Sequence, residues 1–337
     1  MTKIAVIGAG INGLTCAVKI KEKYKDFQVV VISSEFTPNT TGDGSGGLWY
    51  PYLSGNTPYN LLDKWGGETY KFLNDLWKSG GHSICLMPIY NLYTDKDRFK
   101  RPAWANKVYG YQELDSKQLD YVSKLYSARY TAGQTFTTFI SSPPKILAYL
   151  QERFEKADGQ LLKAKVSSLE DPILEEYDVV INCTGIQARF IVPDDKVTPI
   201  RGQIVRVSCP MRGILLMFQK NRCTYIYLCA DTVILGGTHQ NEFNTQIDPK
   251  DTEFIMDGCK RILPGLKHAE VVNIWVGLRP GRDSVRLEPE ERNGKLYIHN
   301  YGHGGCGLTL FWGCGNEVIQ ILETHLNKHN SNVKSKI

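Results

Sequence analysis

The chain has 337 residues, with 40 Lys and Arg against 35 Asp and Glu, so its formal net charge at pH 7 is +5. A hydrophobic fraction of 42% and an aromatic fraction of 11% exclude wholesale disorder, a collagen repeat and a coiled coil. The length fits two domains or one large one. The small positive charge does not indicate nucleic acid or an anionic membrane as a partner, and we predict neither.

The cysteines and the apolar segments predict a soluble, intracellular protein. All nine cysteines occur singly, with no C-x-x-C pair. This pattern is typical of free thiols in a reducing compartment, and no metal site is predicted. The longest apolar runs are far shorter than the roughly 20 residues that a membrane span needs. The N-terminal residues also do not match a secretory signal.

The first 32 residues predict a dinucleotide-binding βαβ unit. A short apolar strand leads into GAGING at residues 8–13, a helical pattern follows, and a second apolar strand covers residues 28–32. This is the context that the G-x-G-x-x-G fingerprint requires: Gly8 permits a tight turn, Gly10 lets a pyrophosphate approach, and Gly13 allows helix and sheet to pack closely. The predicted cofactor contacts here are Gly8, Ala9, Gly10, Ile11, Asn12 and Gly13.

The next segment leaves two questions open. An acidic residue usually ends the second strand and binds the ribose, but here the strand is followed by Ser33-Ser34-Glu35, so either Ser34 or Glu35 could do so. The polar, glycine-rich residues 37–49 suit a loop that cradles phosphates and the edge of a ring, although a flexible surface loop has the same composition. The predicted contacts in this loop are Thr41, Gly42, Gly47 and Leu48.

Later segments predict further parts of the same cofactor site. An apolar strand before Asn182 ends in a small-residue turn, and a glycine-rich stretch at residues 302–309 opens a final helix whose N–H groups could bind an electron-rich group. Pieces so distant in sequence suit an extended FAD in an interrupted domain better than NAD. The contacts predicted from these later segments are Val166, Gly185, Gly304, Gly307, Leu308 and Thr309.

Motifs along essentially the whole chain resemble the D-amino-acid oxidase family of FAD oxidases. They are VIGAG at 6–10, FTP at 36–38, QTFTT at 134–138, NCTG at 182–185, RGQ at 201–203, TYIY at 224–227, LGGT at 235–238, GLRP at 277–280 and YGHGG at 301–305. The resemblance implies an α/β fold with FAD as cofactor. Residues 1–50, 140–195 and 276–337 would form a Rossmann-type FAD-binding domain. Residues 51–139 and 196–275 would form a substrate-binding domain with a mixed or antiparallel sheet.

The resemblance also implies an activity and a set of substrate contacts. A D-amino acid would pass a hydride to the flavin and O2 would reoxidise it, giving a 2-oxo acid, ammonia and hydrogen peroxide. Such a reaction requires no acid or base from the protein, so no catalytic side chain is predicted. Arg279 would clamp the α-carboxylate, Tyr225 would give it a second contact, and Gly305 would leave room for the amine. From the residues alone, a surface arginine and a core tyrosine remain alternatives.

Two of the motifs look more like the family members that act on acidic substrates, which implies D-aspartate and D-glutamate. Those members carry an arginine where this chain has Phe218, and Lys220 or Arg222 could replace it. A second family arginine is His239 here, either a pH-dependent cation or a surface histidine. Four alternatives remain open: a neutral D-amino-acid oxidase, a sarcosine- or glycine-type amine oxidase, a nicotinamide-dependent dehydrogenase and a catalytically silent flavin-binding protein.

The last three residues predict a location. Ser335-Lys336-Ile337 resembles the C-terminal Ser-Lys-Leu peroxisomal address, with Ile in place of Leu. A peroxisomal import receptor is therefore a predicted partner, and a chance tail on a cytoplasmic protein is the alternative. The sequence predicts no oligomeric state.

Overall fold

The computed structural model describes residues 1–208, 215–219, 223–229 and 232–334, which form two β-sheets and the helices packed on them. The strands are β1 (Lys3–Ile7), β2 (Gln28–Ser33), β3 (Ile84–Tyr93), β4 (Tyr109–Glu113), β5 (Ala132–Ser141), β6 (Gln160–Lys163), β7 (Val179–Asn182), β8 (Thr198–Ser208), β9 (Leu215–Gln219), β10 (Cys223–Cys229), β11 (Thr232–Gly236), β12 (Glu270–Gly281), β13 (Arg286–Arg292) and β14 (Lys295–Tyr301). The α-helices are α1 (Ile11–Lys23), α2 (Tyr59–Ser79), α3 (Ser116–Leu125), α4 (Pro143–Lys156), α5 (Ala188–Ile191), α6 (Pro249–Ile262) and α7 (Gly307–Lys334). No described helix is both long enough and apolar enough to cross a bilayer.

The six-stranded sheet has the order β13-β14-β7-β1-β2-β6, and its strands are parallel except for β13. Its central strands are covered on both sides, which explains their unbroken apolar sequences. Ile4 and Val6 face the core that contains α1, α4 and α7, whereas Ala5 and Ile7 face a second cluster on the opposite side. The predicted βαβ unit is thus present as β1, α1 and β2.

The eight-stranded sheet has the order β12-β8-β11-β10-β9-β3-β5-β4 and is antiparallel except for the β3–β9 pair. One face packs on α6, with Val205, Leu235 and Ile255 in the shared core. The edge strand β12 pairs with β8 along its whole length. Because β13 begins five residues after β12 ends, the chain passes here from one sheet to the other.

Helix α2 connects the two parts of the molecule. It buries Trp65, Thr69 and Leu73, whereas Trp77 is 39% exposed. The helix packs directly on α7, where a Cβ added to Gly313 would lie 2.3 Å from the backbone of Trp65. All six strands of the parallel sheet lie in the segments predicted to form the FAD-binding domain. Since α2 belongs to the other set of segments, the exact domain boundaries stay a prediction.

Candidate functional site

A cavity of about 360 Å³ lies at the carboxyl ends of β1, β2 and β7, and we call it the cofactor cavity. This is the edge of a parallel sheet where dinucleotides bind. The fold brings together thirteen of the predicted cofactor contacts in its lining: Gly8, Ala9, Gly10, Ile11, Asn12, Ser34, Glu35, Thr41, Gly42, Gly185, Gly304, Gly307 and Leu308.

The three glycines of the first motif have different steric roles. Gly8 has φ +99°, and a Cβ there would lie 2.6 Å from the carbonyl oxygen of Cys183. A Cβ on Gly13 would lie 1.8 Å from the carbonyl oxygen of Gly8, so this glycine lets α1 pack on the turn without lining the cavity. A Cβ on Gly10 would have no atom within 4 Å, because this position faces the open cavity. The geometry therefore leaves room for a phosphate at Gly10.

The start of α1 is suited to an anion. Gly10 is its N-cap residue, so no side chain accepts a hydrogen bond from the first N–H groups, and the first turn contains no acidic residue. These N–H groups carry the partial positive charge of a helix N-terminus. A pyrophosphate is the part of FAD that such a group of donors would bind.

The glycine-rich loop is held in place by a buried carboxylate that the sequence did not single out. Asp43 is 1% exposed and accepts hydrogen bonds from the Thr37 hydroxyl (2.6 Å), the Thr40 amide (2.8 Å) and the Thr40 hydroxyl (2.7 Å). Its backbone oxygen accepts a further bond from Arg206 at 2.8 Å. Hydrogen bonds therefore hold the loop in a fixed position at the cavity wall. It is not the flexible surface loop that its composition also allowed.

Two buried side chains in the lining have unsatisfied polar atoms. His303 is 2% exposed, and its Nδ1 lies 3.3 Å from the Asn12 amide nitrogen, while His303 Nε2 and Asn12 Oδ1 have no hydrogen-bond partner among the described residues. Burial lowers the pKa of His303 to about 4, so the ring is neutral near pH 7. Because Nδ1 then accepts from Asn12, Nε2 carries the proton and can donate. Unpaired buried groups of this kind fit a polar cofactor.

The two candidates for the ribose contact lie side by side. Ser34 and Glu35 are both exposed at the rim of the cofactor cavity. The Glu35 carboxylate lies 3.8 Å from the Lys163 ammonium, a loose contact that leaves its oxygens accessible. Both alternatives therefore remain open.

Two other predicted cofactor contacts lie outside the described lining. Val166 is 6% exposed and packs in the apolar cluster on the far face of the parallel sheet. The Thr309 hydroxyl accepts from the Tyr50 amide at 3.2 Å and donates to the Tyr50 carbonyl at 3.0 Å. Thr309 thus fixes a neighbouring segment, and its side chain is not part of the cavity wall.

A second cavity, which we call the substrate cavity, continues from the first. The two share Thr41, Ser45, Arg279, Gly305 and Leu308. Its lining contains seven predicted residues and four large aromatic residues that sequence reasoning missed. The predicted ones are Thr41, Gly47, Leu48, Tyr225, Arg279, Gly305 and Leu308, and the aromatic ones are Tyr50, Tyr52, Tyr227 and Trp275.

Arg279 projects from β12 into both cavities. Its guanidinium lies over Gly202 of β8, where a Cβ would be 2.2 Å from Nη1. The side chain is half-buried, and its hydrogen bond to the Thr238 carbonyl oxygen is long, at 3.4 Å. Among the described residues no carboxylate pairs with it. A planar guanidinium in this state can bind a carboxylate through two parallel hydrogen bonds.

Tyr225 lies beside it on the same sheet. Its phenol oxygen passes over Gly236 and Gly237, where added Cβ atoms would be 2.4 and 2.6 Å away. The ring also stacks on Tyr227, with 4.4 Å between centroids. The two glycines of the LGGT motif therefore give Tyr225 its place. A Cβ on Gly305 would lie 2.6 Å from the ring of Tyr52, so this glycine leaves room for an aromatic wall.

The cations predicted for an acidic side chain are not in the described part of this wall. His239 is exposed and does not line the substrate cavity. Lys220 and Arg222 lie outside the described residues. Within the described lining, Arg279 is the one charged side chain. The part of the chain that the structure describes also holds no group of three or more His, Cys, Asp or Glu suited to a metal ion.

Comparison with known proteins decides the family. Residues 3–321 match the family described as FAD dependent oxidoreductase. A D-amino acid oxidase from Dugesia ryukyuensis is 37% identical over 96% of this chain and 98% of its own length. This chain belongs to the D-amino-acid oxidase family of FAD-dependent oxidoreductases. FAD is therefore its cofactor, as the sequence predicted.

Other relatives bear on the fold and on the substrate. Human D-aspartate oxidase is 31% identical over 97% of this chain and 98% of its own length. The relatives that match this chain therefore include a D-aspartate oxidase as well as proteins called D-amino acid oxidase. The crystal structure of glycine oxidase from Geobacillus kaustophilus superposes with a TM-score of 0.78 at 16% identity, covering 96% of this chain and 95% of that one. The predicted α/β fold of a D-amino-acid oxidase family member is thus confirmed, whereas the side chain of the substrate is left open.

Proposed function

We propose that this protein is an FAD-dependent oxidase that deaminates D-amino acids. One observation carries the proposal: Arg279, which pairs with no carboxylate among the described residues, extends its guanidinium into the space where the substrate and cofactor cavities join. A substrate α-carboxylate held there by two hydrogen bonds would be fixed in orientation as well as position. Tyr225, on a neighbouring part of the same wall, would add a hydroxyl contact.

The protein's own contribution is to bind the substrate and hold it in a fixed orientation. Bound FAD supplies the hydride acceptor that the reaction needs. Arg279 and Tyr225 hold the carboxylate, and the aromatic wall restricts the water that reaches the reacting carbon. Among the described residues, Arg279 and the tyrosines are the titratable side chains that line the substrate cavity.

For the side chain of the substrate we keep the acidic class, D-aspartate and D-glutamate, as the proposal. The QTFTT and TYIY motifs favour it, and Lys220 and Arg222 precede Tyr225 by only a few residues. Oxidation of neutral D-amino acids is the second candidate. It is favoured by the described lining, which is aromatic and offers no cation beyond Arg279.

The deciding assay is hydrogen peroxide release from FAD-supplemented protein offered D-Asp, D-Glu, D-Ala, D-Leu and L-Asp in parallel. We expect turnover of D-enantiomers only, with D-Asp and D-Glu fastest. A preference for D-Ala and D-Leu would replace the acidic class by the neutral one. Bound flavin without turnover of any D-amino acid would contradict the oxidase and leave a flavin-binding protein.

We also propose a peroxisomal location, supported by Ser335-Lys336-Ile337, which lies outside the described residues. A compartment that destroys hydrogen peroxide suits an enzyme that makes it. A fluorescent protein carrying the last ten residues of the chain should enter peroxisomes. The same fusion without the last three residues should stay in the cytosol, and import that survives this deletion would contradict the proposal.

A further inference from the structure

Strand β7 ends in a turn that forms part of the wall of the cofactor cavity. Five consecutive residues, 183–187, line the cavity, and we call them the β7 turn. The turn packs against the first glycine motif, since a Cβ on Gly8 would lie 2.6 Å from the carbonyl oxygen of Cys183 and 3.4 Å from the Cα of Thr184. The shape of the β7 turn therefore sets part of the surface that FAD contacts.

Asn182, the last residue of β7, holds this turn. It is completely buried, and its Oδ1 accepts hydrogen bonds from the Thr184 amide at 3.2 Å and from the Thr184 hydroxyl at 2.8 Å. A backbone N–H can only donate, so the oxygen of Asn182 must face the turn and its NH2 group must face the other way. On that other side, Nδ1 of His299 lies 3.2 Å from the Asn182 amide nitrogen.

Glu290 fixes which nitrogen of His299 carries the proton. His299, on β14, is completely buried, and its Nε2 lies 3.0 Å from a carboxylate oxygen of Glu290. Although burial raises the pKa of Glu290, hydrogen bonds from His299 and Arg292 bring it below its usual value, so the carboxylate only accepts near pH 7. Nε2 of His299 therefore donates to Glu290, and Nδ1 can accept from Asn182 as long as the ring is neutral.

A second proton on His299 does not fit this arrangement. An imidazolium would point an N–H at the NH2 group of Asn182, so that two donors would face each other. If the Asn182 amide turned over, its oxygen would accept from His299, but its NH2 group would then face the amide of Thr184. In both cases a buried donor lacks an acceptor, which is unfavourable.

We propose that His299 is a positioning residue for the cofactor: its neutral ring keeps the oxygen of Asn182 on Thr184 and so holds the β7 turn in the shape that binds FAD, and protonation of the ring releases the turn. The inference goes beyond the proposed function, because it concerns the binding of FAD and not the substrate. It implies that the affinity for FAD falls as the pH falls.

The charged and titratable groups around His299 come from two strands. They are Arg286, Glu288 and Glu290 on β13, and Tyr301 on β14, whose ring centroid lies 5.7 Å from that of the imidazole. Burial and the charge of Arg286 lower the pKa of His299, and the two glutamates offset only part of this effect. Burial raises the pKa of Tyr301 to about 12, so this neighbour is neutral.

The test is the dissociation constant of FAD, measured by flavin fluorescence titration of the apoprotein at pH 7.5 and pH 5.5. Kd should rise about tenfold at the lower pH, because only the FAD-free form then binds a proton at a histidine with the free side chain's pKa of about 6.5. His303, with a pKa of about 4, takes up little proton in this range. A rise of less than twofold would overturn the inference.

His299→Gln removes the titrating ring, so its two Kd values should agree within about twofold. His268→Gln is the matched control, because it makes the same substitution at an exposed histidine that lines neither cavity. The control should keep the full rise. If the rise persisted in His299→Gln, another group would cause the pH dependence, and His299 would lose its assigned role.

Asn182→Asp tests the orientation of the amide. A carboxylate accepts at both ends, from an imidazolium N–H and from Thr184, so a protonated His299 would no longer disturb the turn. The ratio of Kd at pH 5.5 to Kd at pH 7.5 should therefore fall to about twofold or less, whatever the affinity itself. A ratio equal to that of the unchanged protein would contradict the role of Asn182.

The unchanged protein also gives a measurement that needs no variant. Calorimetric titration with FAD at pH 5.5, in two buffers of different ionisation enthalpy, should show the release of about one proton per FAD bound. FAD binding without proton release would overturn the inference. If FAD binds with the expected pH dependence but no D-amino acid is oxidised, the proposed function fails and the role of His299 stands.

Discussion

The arginines near the site differ in whether a carboxylate of the fold neutralises their charge. Arg201 is completely buried and lies 2.8 Å from Asp251, and Arg282 lies 3.0 Å from Asp194. Arg286 pairs with Glu288 at 2.7 Å. These three charges are neutralised within the fold, since a buried cation without a partner is costly. Arg279 has no described carboxylate, which leaves its binding capacity for a ligand.

We therefore expect Arg279→Met to abolish most of the activity. Loss of the two charge-assisted hydrogen bonds to the α-carboxylate should lower kcat/KM by about two to three orders of magnitude. Arg279→Lys should retain only a small part of the original kcat/KM, because an ammonium cannot form two parallel hydrogen bonds to a carboxylate as the planar guanidinium does. Steady-state kinetics with the best D-amino acid measures both. Full activity in Arg279→Met with bound FAD would place the carboxylate elsewhere.

A second expectation at this scale concerns pH. His303 has a pKa of about 4 in the folded chain against 6.5 for the free side chain, because burial disfavours its charged form. Between these two values only the unfolded chain takes up the proton, so the free energy of unfolding falls as the pH falls. Above pH 6.5 the residue has no such effect. From pH 7 to pH 5 its contribution should lower that free energy by about 2 kcal/mol.

Urea unfolding of the apoprotein at pH 7 and pH 5 checks this. His303→Gln should lose less stability over the interval than the unchanged protein does, whatever its stability at pH 7. Equal losses in the two proteins would show that His303 has the same pKa in the folded chain as in the unfolded one.

At the scale of elements, the βαβ unit forms from local pattern and close packing. The alternation of β1 sends its side chains to both faces of the sheet, and α1 buries Leu14, Ala17 and Ile20 completely. The turn between them contains two glycines with different roles: a Cβ on one would clash with the protein, whereas a Cβ on the other would enter the cavity. Gly13 faces the protein, and Gly10 faces the cavity.

Alanine substitutions should separate these roles. Gly13→Ala places a methyl group 1.8 Å from the Gly8 carbonyl oxygen, so we expect the apoprotein to lose about 2–3 kcal/mol or more. Gly10→Ala meets no protein atom, so its apoprotein should remain within about 1 kcal/mol of the original. Its affinity for FAD should nevertheless fall at least tenfold, since the methyl group occupies phosphate space.

Urea unfolding and flavin fluorescence titration supply the two readouts. If Gly10→Ala bound FAD normally, the cofactor would not approach the backbone at this turn. A fully stable Gly13→Ala would contradict the close packing of α1 on the turn.

At the scale of the whole molecule, the cavities are walled by both sheets. The glycine-rich loop packs on the eight-stranded sheet, where Cβ atoms on Gly44 and Gly46 would lie 1.9 Å from Trp275 and 2.5 Å from Tyr227. Strand β12 carries Trp275 and Arg279 on one face, because alternate residues of a strand point the same way. A ligand in the cofactor cavity therefore contacts both parts of the structure.

FAD should accordingly stabilise the molecule as one unit. At a free concentration of 100 times its Kd, the free energy of unfolding should rise by about 2.7 kcal/mol. Urea unfolding followed by tryptophan fluorescence and by far-ultraviolet circular dichroism should give coincident transitions that move together. Two separate transitions, of which FAD moves only one, would show that the cofactor contacts one part alone.

The sequence by itself determined the family, the cofactor and the local elements around the first motif. β1, α1 and β2 follow from apolar periodicity and from glycines at fixed spacing, which act over a few residues. The family motifs placed Arg279 and Tyr225 in one site, and both line the substrate cavity. Thirteen predicted cofactor contacts meet in the cofactor cavity for the same reason.

Only the tertiary structure decided which side chains complete the site. In the structure Val166 packs in the apolar cluster on one face of the parallel sheet and the Thr309 hydroxyl holds the backbone of Tyr50, so their contact with the cofactor stays a prediction. Tyr50 and Trp275 were not predicted, because their place in the wall depends on loop packing and on sheet register between distant segments. Local periodicity contains no information on such contacts, which is why the aromatic wall emerged only from the folded chain.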